Sequence, residues 1–367
     1  MNGTSSIYRF VFAAGGTGGH IYPAVAVAQK LKELKPESKI LFVGTKNKLE
    51  SKVIPQLGFD FKSVWISGFS RKMNVNNLLF PVKLFVSTIQ SLILCMKFKP
   101  RVAIGAGAYV AGPVVWGASV LGAKVILLEQ NSYPGITNRL LEKRANQIHL
   151  TFEDSKKYFR LKDKLMITGN PVRINLKHIE KNDALKKFGL NTSKKNLLIL
   201  GGSGGALSIN NAIAENISRL TDAGIQLIWQ TGEVYYDMFC KYQSEDVKIF
   251  PFIEDMSAAF SACDLLLARA GATTIAEASQ LGIPVVFIPS TNVAANHQYM
   301  NAKSLQEADA CILIEDKNLQ TELMEKVHSI IYSEEKLREL KENIKKLSKP
   351  DAAKVVAENA IMLAEKE

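Results

Sequence analysis

Two glycine-rich turns, each placed between an apolar strand and a helix, constrain this chain more than any other feature. The first turn is AGGTGGHIYP at residues 14–23, between the apolar run 8–13 and a predicted helix at 24–31. The second is GGSGGA at residues 201–206, which follows the predicted strand 196–200. Such a turn presents unpaired backbone N–H groups at the N-terminus of a helix, where they attract phosphate. The sequence therefore predicts two similar α/β domains, each with a loop suited to phosphate.

Length and charge are consistent with this organisation. A chain of 367 residues suggests two domains. Its formal net charge of +11 favours acidic partners such as phosphorylated substrates or anionic lipid. The lysines are spread along the chain without a basic tail, so nucleic-acid binding has no support. The four cysteines lie far apart without metal-ligand spacing, and the N-terminus shows no secretion signal, which fits a reducing cytoplasm.

Strand and helix patterns alternate along most of the chain, which predicts parallel sheets and an α/β fold. Ligands of such sheets bind at the carboxyl ends of the strands. Tyr109, Glu129 and Asn131 lie at or just after the ends of predicted strands, so we expect them near a ligand. Polar, lysine-rich sequence follows Asn170, and we expect the hinge between the domains near residues 171–178.

The most apolar segment spans residues 78–98. Pro81, Lys83 and several hydroxyl or amide side chains interrupt it, which disfavours a transmembrane helix. We expect residues 87–96 to form a buried helix. Two interpretations of residues 78–85 are equally supported: the start of the same buried helix, or an apolar patch ringed by lysines that docks on an anionic membrane surface.

The glycine turns do not match two common nucleotide-binding motifs. A dinucleotide site needs Gly-x-Gly-x-x-Gly, but Ile21 and Leu207 stand at the third glycine position of the two turns. A P-loop needs Gly-Lys-Ser/Thr, which neither turn has. The sequence has no Asp-x-Asp pair to hold a divalent cation on a diphosphate, so we expect no metal and no cofactor. A leaving diphosphate would then be stabilised by helix N-termini.

Two other segments leave a choice between structure and chemistry. Residues 269–277, RAGATTIAE, either only begin a helix or place Ala272 to Thr274 against phosphate, with Glu277 accepting hydrogen bonds from ribose hydroxyls. His20 either caps a helix or exchanges a proton with the ligand of the first turn. Together with the second glycine turn, residues 269–277 favour a nucleotide. Asp255 is expected to cap a further helix.

The two turns and four further motifs resemble the MurG family, the peptidoglycan GlcNAc transferases of glycosyltransferase family 28. Those motifs are RAGATTIAE (269–277), LEQN (128–131), GNPVR (169–173) and NHQYMNA (296–302). The matches run in order from about residue 8 to 302, so the resemblance covers nearly the whole chain. One position departs from the family: Gly204 stands where the second turn usually has glutamine, so a contact from that side chain does not carry over.

The resemblance implies a GT-B fold, in which two Rossmann-like domains with parallel sheets face each other across a cleft. Its domains would be residues 1–172, which bind acceptor and membrane, and residues 173–345, which bind UDP-GlcNAc. A C-terminal helix at 346–367 would pack back on the first domain. The implied reaction moves GlcNAc from UDP-GlcNAc to the C4 hydroxyl of undecaprenyl-diphospho-MurNAc-pentapeptide (lipid I), with inversion to a β linkage. The implied location is the cytoplasmic face of the inner membrane, as a peripheral enzyme, with other cell-wall synthesis proteins as partners.

Site residues follow from the positions that match the family. His20 is the first candidate for the general base, because one base must take the acceptor proton in a single displacement, and Glu129 is the second. Gly15, Gly16 and Tyr109 would lie on the acceptor side. Donor contacts would come from Thr17, Gly18, Gly19, Asn131, Arg173, Ser203, Ile253 (through its backbone, on uracil), Ala272, Thr273, Thr274, Ile275, Ala276, Glu277 (on ribose) and Gln298.

Two other functions stay open. Another GT-B enzyme, such as a UDP-GlcNAc epimerase or a soluble glycosyltransferase, would explain the nucleotide loops but not the apolar patch at 78–85. A non-catalytic protein that binds nucleotide sugars or docks on membranes would not explain His20 together with two intact glycine turns.

Overall fold

The chain forms two compact units in the computed structural model, which describes residues 8–68, 78–173, 176–202, 204–291 and 296–366. Unit 1 consists of Met1–Ile174 and Lys349–Glu367, and unit 2 of Asn175–Ser348. The boundary between residues 174 and 175 lies inside the hinge region expected at 171–178. Unit 1 is thus built from two separate stretches of the chain.

Unit 1 is organised on one seven-stranded parallel sheet. Its strands are β1 (Arg9–Ala13), β2 (Lys39–Gly44), β3 (Asp60–Ser63), β4 (Val102–Gly105), β5 (Lys124–Glu129), β6 (Gln147–Leu150) and β7 (Leu165–Ile167). They lie in the order β3-β2-β1-β4-β5-β6-β7. The order reverses between β1 and β4, and ligands of open α/β sheets bind at the carboxyl edge next to such a reversal.

Helices cover both faces of this sheet. They are α1 (Gly18–Leu34), α2 (Leu49–Gln56), α3 (Phe80–Phe98), α4 (Ala108–Val120), α5 (Ile136–Leu141) and, from the end of the chain, α14 (Ala352–Glu365). Phe10 and Phe12 of β1 lie in one buried cluster with α1 and α14, while Val11 and Ala13 lie in another with α4. Val356 of α14 is fully buried in the first cluster, so the last helix completes the core of unit 1.

Helix α3 turns its apolar side outward, so the expectation of a buried helix over residues 87–96 is wrong. Its buried residues are the small side chains Ser87, Ser91 and Cys95. They face α4 at close range, since a Cβ added to Gly117 would lie 3.5 Å from the Ser91 Cβ. Large apolar side chains occupy the other side: Val82, Phe85, Ile89, Ile93 and Met96 are 42–67% exposed. An ordinary surface helix has the opposite arrangement.

By length and composition, α3 could cross a membrane, with a mean hydropathy of 1.3 over its most apolar window. It is the one such helix among the residues that the structure describes. Its packing argues against spanning, because Cys95 belongs to the buried cluster that also contains Val114 and Val115 of α4. One side of α3 is therefore fixed to unit 1 and the other side is available to a surface.

Unit 2 repeats the scheme with a six-stranded parallel sheet. Its strands are β8 (Lys195–Leu200), β9 (Ile225–Gln230), β10 (Val247–Phe250), β11 (Leu265–Ala268), β12 (Val285–Phe287) and β13 (Ile312–Leu313). Their order is β10-β9-β8-β11-β12-β13, so the reversal lies between β8 and β11. The second glycine turn follows β8 and residues 269–277 follow β11, which places both at this reversal.

The helices of unit 2 are α6 (Lys181–Phe188), α7 (Leu207–Asp222), α8 (Tyr236–Phe239), α9 (Met256–Ala262), α10 (Ala272–Leu281), α11 (His297–Gln306), α12 (Leu319–Ile331) and α13 (Glu334–Lys346). The expected cap is confirmed, since the Asp255 carboxylate accepts a hydrogen bond from the Ala258 backbone N–H at 2.9 Å. A buried amide on α7 fixes the end of β9: Asn210 accepts from Trp229 Nε1 and donates to the Thr231 carbonyl, both at 3.0 Å.

Candidate active site

His20 lies in the first turn of α1, at the reversal of strand order in unit 1. Its Nδ1 is 2.9 Å from the Ala106 carbonyl oxygen and 3.1 Å from Gln130 Oε1. The Gln130 amide is oriented by its own Nε2, which donates to the same carbonyl at 3.0 Å. Because both neighbours of Nδ1 are acceptors, Nδ1 carries the proton and Nε2 is the basic nitrogen. Gly107 (φ +90°) leaves room for the ring, since a Cβ there would lie 2.9 Å from Nδ1.

A buried carboxylate, Glu50, holds the first glycine turn. This residue of α2 is fully buried. Its Oε2 accepts from the Gly16 backbone N–H at 3.2 Å, and its Oε1 accepts from the Thr45 backbone N–H at 3.0 Å and hydroxyl at 2.7 Å. The carboxylate therefore bridges the ends of two neighbouring strands, β1 and β2. Glu50 was not predicted from the sequence, because a lone glutamate in the first turn of a helix usually faces solvent.

Tyr109 lies beside the same turn, at the start of α4. A Cβ added to Gly16 would lie 3.9 Å from the Tyr109 ring. Burial raises the pKa of Tyr109 and the charge of Glu50 adds to the rise, while a hydrogen bond with Thr45 opposes it. The phenol is therefore protonated at neutral pH and can donate a hydrogen bond to an anion. The three residues expected on the acceptor side, Gly15, Gly16 and Tyr109, thus come together in unit 1.

The residues of the first turn expected to contact the donor form the start of α1. Thr17 precedes the helix, and its carbonyl accepts from the His20 N–H at 3.1 Å and the Ile21 N–H at 3.2 Å. Gly18 and Gly19 are its first two helical residues. Arg173 lies at the same edge of the sheet, with its guanidinium 4.3 Å from the centre of the Tyr22 ring. Such cation–π stacking fixes the direction of the arginine.

Glu129 is buried at the end of β5, where both oxygens of its carboxylate face donors. Oε1 accepts from the Asn131 backbone N–H at 3.0 Å, and Oε2 accepts from the Gly135 N–H at 3.0 Å and from Asn138 Nδ2 at 2.8 Å. Burial raises the pKa of Glu129, and the hydrogen bonds from Asn131, Asn138 and Gly135 oppose the rise. This arrangement suits a residue that positions Asn131 and its loop better than one that takes a proton from a substrate.

In unit 2, one buried glutamine joins two strand-end loops. Gln230 ends β9, and its Nε2 donates to the Gly202 carbonyl at 3.1 Å while its Oε1 accepts from the Ile253 N–H at 2.9 Å. Because the Ile253 N–H already donates to Gln230, a hydrogen bond between uracil and the Ile253 backbone would use the Ile253 carbonyl oxygen. The second glycine turn is also pressed against β9, since a Cβ on Gly205 (φ +74°) would overlap the Thr231 carbonyl. Ser203, the expected contact in this turn, lies outside the described residues.

The other residues expected to contact the donor lie on two helices of unit 2. Ala272, Thr273, Thr274, Ile275, Ala276 and Glu277 form the N-terminal part of α10, and Glu277 is buried. The buried hydroxyl oxygen of Thr273 has no hydrogen-bond partner among the described residues. A helix N-terminus with such a hydroxyl suits a phosphate. On α11, Gln298 Oε1 accepts from the Ser290 N–H at 2.9 Å, so its amide nitrogen is the group available to a ligand.

Within the described ranges there is no group of three or more His, Cys, Asp or Glu side chains that could hold a metal ion. The candidate residues are backbone donors, hydroxyls, amides, one histidine, one arginine and the two separate carboxylates of Glu129 and Glu277. In each unit they lie at the carboxyl edge of the parallel sheet, as expected for a ligand site in this type of fold.

Comparison with known proteins identifies the family. The N-terminal domain of glycosyltransferase family 28 matches residues 10–150, and its C-terminal domain matches residues 196–356. A UDP-N-acetylglucosamine–N-acetylmuramyl-(pentapeptide) pyrophosphoryl-undecaprenol N-acetylglucosamine transferase from Flavobacterium psychrophilum is 42% identical over 361 residues, 98% of each chain. The protein of the same name from Bacteroides thetaiotaomicron is 40% identical, again over 98% of each chain.

Solved structures agree with this. The crystal structure of Acinetobacter baumannii MurG superimposes with a TM-score of 0.73 at 25% identity, covering 96% of this chain and 99% of that one. A UDP-N-acetylglucosamine 2-epimerase superimposes with a TM-score of 0.64 at 14% identity, which shows a shared fold alone. Two Rossmann-like units on parallel sheets are the GT-B architecture. The chain therefore belongs to glycosyltransferase family 28, within the MurG family of GT-B glycosyltransferases.

Proposed function

We propose that this protein transfers GlcNAc from UDP-GlcNAc to the C4 hydroxyl of undecaprenyl-diphospho-MurNAc-pentapeptide, with inversion to a β-1,4 linkage. One observation carries the proposal: relatives named for this transfer are about 40% identical over 98% of their length. The geometry supports it, because each unit has a glycine turn at the carboxyl edge of its sheet. Two phosphate-binding turns suit a reaction with one diphosphate on the donor and another on the acceptor.

We assign the general base to His20. Its Nδ1–H donates to the Ala106 carbonyl, so Nε2 is the nitrogen that can accept the C4 hydroxyl proton. As the proton moves to Nε2, the hydroxyl oxygen attacks the anomeric carbon of GlcNAc. The bond from that carbon to the diphosphate oxygen breaks, and UDP leaves with the electron pair. A single displacement of this kind inverts the anomeric centre. In this assignment Glu129 is not the base. It positions the loop that contains Asn131, through its hydrogen bonds to the Asn131 and Gly135 N–H groups and to Asn138.

The negative charge that develops on the leaving diphosphate needs donors fixed in advance. We place them at the start of α10, where the helix N-terminus and the Thr273 hydroxyl are available, and in the second glycine turn. Glu277 would receive the ribose hydroxyls, and the Ile253 carbonyl would receive the uracil N–H. The Gln230 side chain holds the second glycine turn and the Ile253 loop in fixed positions relative to each other, through one hydrogen bond to each.

We place the enzyme on the cytoplasmic face of the membrane, held there peripherally by the exposed apolar side of α3. Leu78, just before α3, is 79% exposed, and Phe85 within the helix is 67% exposed. Large apolar side chains that are exposed next to each other mark a contact surface. Lys83 borders them, with its ammonium 3.0 Å from Ser67 Oγ, and Lys72 lies outside the described residues. The lipid-linked acceptor must be met at this surface, and other cell-wall synthesis proteins are the partners that we expect there.

One assay tests the transferase proposal against its rivals: UDP release from UDP-GlcNAc, with and without a lipid I analogue. Acceptor-dependent release supports the transfer. Epimerised sugar nucleotide without acceptor would instead indicate an epimerase, and binding without release would indicate a non-catalytic protein. His20→Ala should lower kcat by about 10²- to 10⁴-fold and leave UDP affinity unchanged. His328→Ala, at an exposed histidine of α12, is the matched control. Near-normal turnover of His20→Ala would remove His20 from the role of base.

The docking proposal has its own test. Leu78→Ser/Phe85→Ser should weaken binding to vesicles that contain phosphatidylglycerol, because burial of two large apolar side chains is lost. Leu34→Ser/Leu57→Ser is the matched control, since these leucines are 39% and 42% exposed elsewhere on unit 1. Equal vesicle affinity of the two double variants would contradict docking through α3.

A further inference from the structure

Arg139, on α5 at the carboxyl edge of the unit 1 sheet, forms no ion pair with any described carboxylate. Its guanidinium lies 5.4 Å from the centre of the Tyr133 ring. Its buried Nε–H has no hydrogen-bond partner, and its side chain makes no other hydrogen bond to a described residue. An arginine that is stacked on a ring but not paired with an acid keeps planar N–H donors for a carboxylate from outside.

An aromatic pair holds this arginine in place. The Tyr133 ring, in the loop after β5, meets the Tyr158 ring edge-on, with ring centres 4.8 Å apart. Tyr158 comes from the segment after β6, the neighbouring strand. The direction of the guanidinium is therefore fixed by rings from two strand ends. A donor that is held in this way loses less conformational entropy on binding than a mobile surface arginine does.

The loop that precedes Arg139 is tied to the candidate active site. The Glu129 carboxylate, at the end of β5, accepts from the Gly135 N–H at 3.0 Å and from Asn138 Nδ2 at 2.8 Å. Asn138 Nδ2 also donates to the Leu128 carbonyl at 2.9 Å. Because Arg139 follows Asn138 directly, the same buried network sets the position of its backbone.

Exposed apolar side chains border Arg139. Ile136 and Leu140 of α5 are 66% and 76% exposed. Residues three and four apart on a helix share a side, so Ile136 lies on the same side of α5 as Arg139 and Leu140. A fixed cation with an apolar border suits a short peptide that carries small apolar side chains and ends in a carboxylate.

The position of α5 fits the peptide part of the proposed acceptor. His20 lies at the reversal between β1 and β4, and β5 is the next strand after β4 in the sheet. Strand spacing therefore separates β1 from β5 by about 10 Å. An extended pentapeptide spans about 17 Å, so it reaches α5 when its sugar lies at His20. A peptide that is joined to the sugar through its N-terminus has a carboxylate at its other end.

From these observations we propose that the Arg139 guanidinium binds the C-terminal carboxylate of the acceptor pentapeptide. Ile136 and Leu140 contact the residues before that carboxylate. The inference rests on the proposed function, because it needs a muramoyl pentapeptide as the acceptor. The planar fork of an arginine matches the two oxygens of a carboxylate. Arg139 is then a specificity residue, which recognises the end of the acceptor that is remote from the reacting hydroxyl.

The test compares acceptors that differ by one charge. They are lipid I analogues with a short prenyl chain that carry pentaalanine as the acid, pentaalanine as the C-terminal amide, or no peptide. Alanine side chains are uncharged, so the acid and the amide differ in the terminal carboxylate alone. The unchanged protein should have a kcat/KM about tenfold higher with the acid than with the amide. Arg139→Gln should remove this preference and leave kcat/KM for the peptide-free acceptor within about twofold, which also shows that the variant is folded.

Arg144→Gln is the matched control. Arg144 also stacks on an aromatic ring of unit 1, with its guanidinium 5.3 Å from the centre of the Trp116 ring. This variant should keep the full preference for the acid. Tyr133→Leu removes the ring under Arg139 and leaves the charge, so its preference should fall to about threefold. Full preference in Arg139→Gln, or an equal loss in Arg144→Gln, would overturn the inference.

Other outcomes distinguish a failure of this subsite from a failure of the proposed function. Equal transfer of GlcNAc to the acid and the amide by the unchanged protein would overturn the role of Arg139 and leave the transferase proposal standing. Transfer to none of the three analogues would overturn both. If Arg139→Gln keeps the preference for the acid but binds phosphatidylglycerol vesicles less tightly, α5 is a membrane contact and the peptide inference fails.

Discussion

Replacing Glu50 tests whether one buried carboxylate sets the shape of the first glycine turn. Glu50→Gln keeps the size of the side chain but exchanges one acceptor oxygen for an NH₂ donor. The carboxylate faces two backbone N–H groups, of Gly16 and Thr45, on its two different oxygens. In either orientation of the new amide, one of these buried N–H groups faces NH₂. Leaving such a group without an acceptor costs about 1–3 kcal/mol.

The first glycine turn can relieve this cost by moving away from residue 50. That movement would displace Gly15, Gly16 and the start of α1, which includes His20. We therefore expect kcat/KM for the lipid acceptor to fall roughly 5- to 150-fold, the equivalent of about 1–3 kcal/mol. The affinity for UDP, whose nucleoside contacts we place in unit 2, should change less than about twofold.

Steady-state kinetics with a varied lipid I analogue, and calorimetric titration with UDP, measure the two effects separately. Glu37→Gln, at an exposed glutamate of unit 1, is the matched control. Thermal unfolding confirms that both variants are folded. Normal acceptor kinetics in folded Glu50→Gln would refute the positioning role.

Three further outcomes are expected. Gln230→Leu should raise the dissociation constant for UDP about tenfold, because it releases the Ile253 loop from the second glycine turn; unchanged UDP affinity in a calorimetric titration would contradict this. Glu129→Gln should lower kcat less than His20→Ala does and leave the acid limb of the pH–rate profile in place; loss of that limb would make Glu129 the base. Burial lowers the pKa of His149 from 6.5 to about 4, so the unfolded chain binds a proton at a higher pH than the folded one. Stability should therefore fall by about 2–3 kcal/mol between pH 7.5 and 4.5, and His149→Gln should remove that part of the fall in urea unfolding.

Much of the fold follows from local sequence signals. Alternating strands and helices predicted the parallel sheets, and Asp255 was predicted as a cap because its type and position fit the start of a helix. The side chains at the strand ends, such as Tyr109 and Glu129, were found for a similar reason, since strand ends of parallel sheets meet at one edge. Signals of this kind depend on near neighbours in the chain.

The residues that were missed depend on strand order instead. Glu50 reaches Gly16 only because β2 lies next to β1, and Gln230 joins two loops only because β9 lies between β8 and β10. Nothing in the sequence near either residue gives that order. Helix α3 was misjudged for another reason: the most apolar segment of the chain was expected to be buried. Here close contact with α4 selects the small residues Ser87 and Ser91 for the inner side.

The two-part composition of unit 1 has a consequence for synthesis. Ribosomes release α14 after all of unit 2, yet Val356 and Ala360 of this helix belong to the same buried cluster as Ile21 and Ala24 of α1. Until residue 365 has emerged, the nascent N-terminal part carries an uncovered apolar groove, while unit 2 already has its whole sequence. We expect a chain stopped at residue 348 to keep unit 2 resistant to proteases and to be cut rapidly within α1.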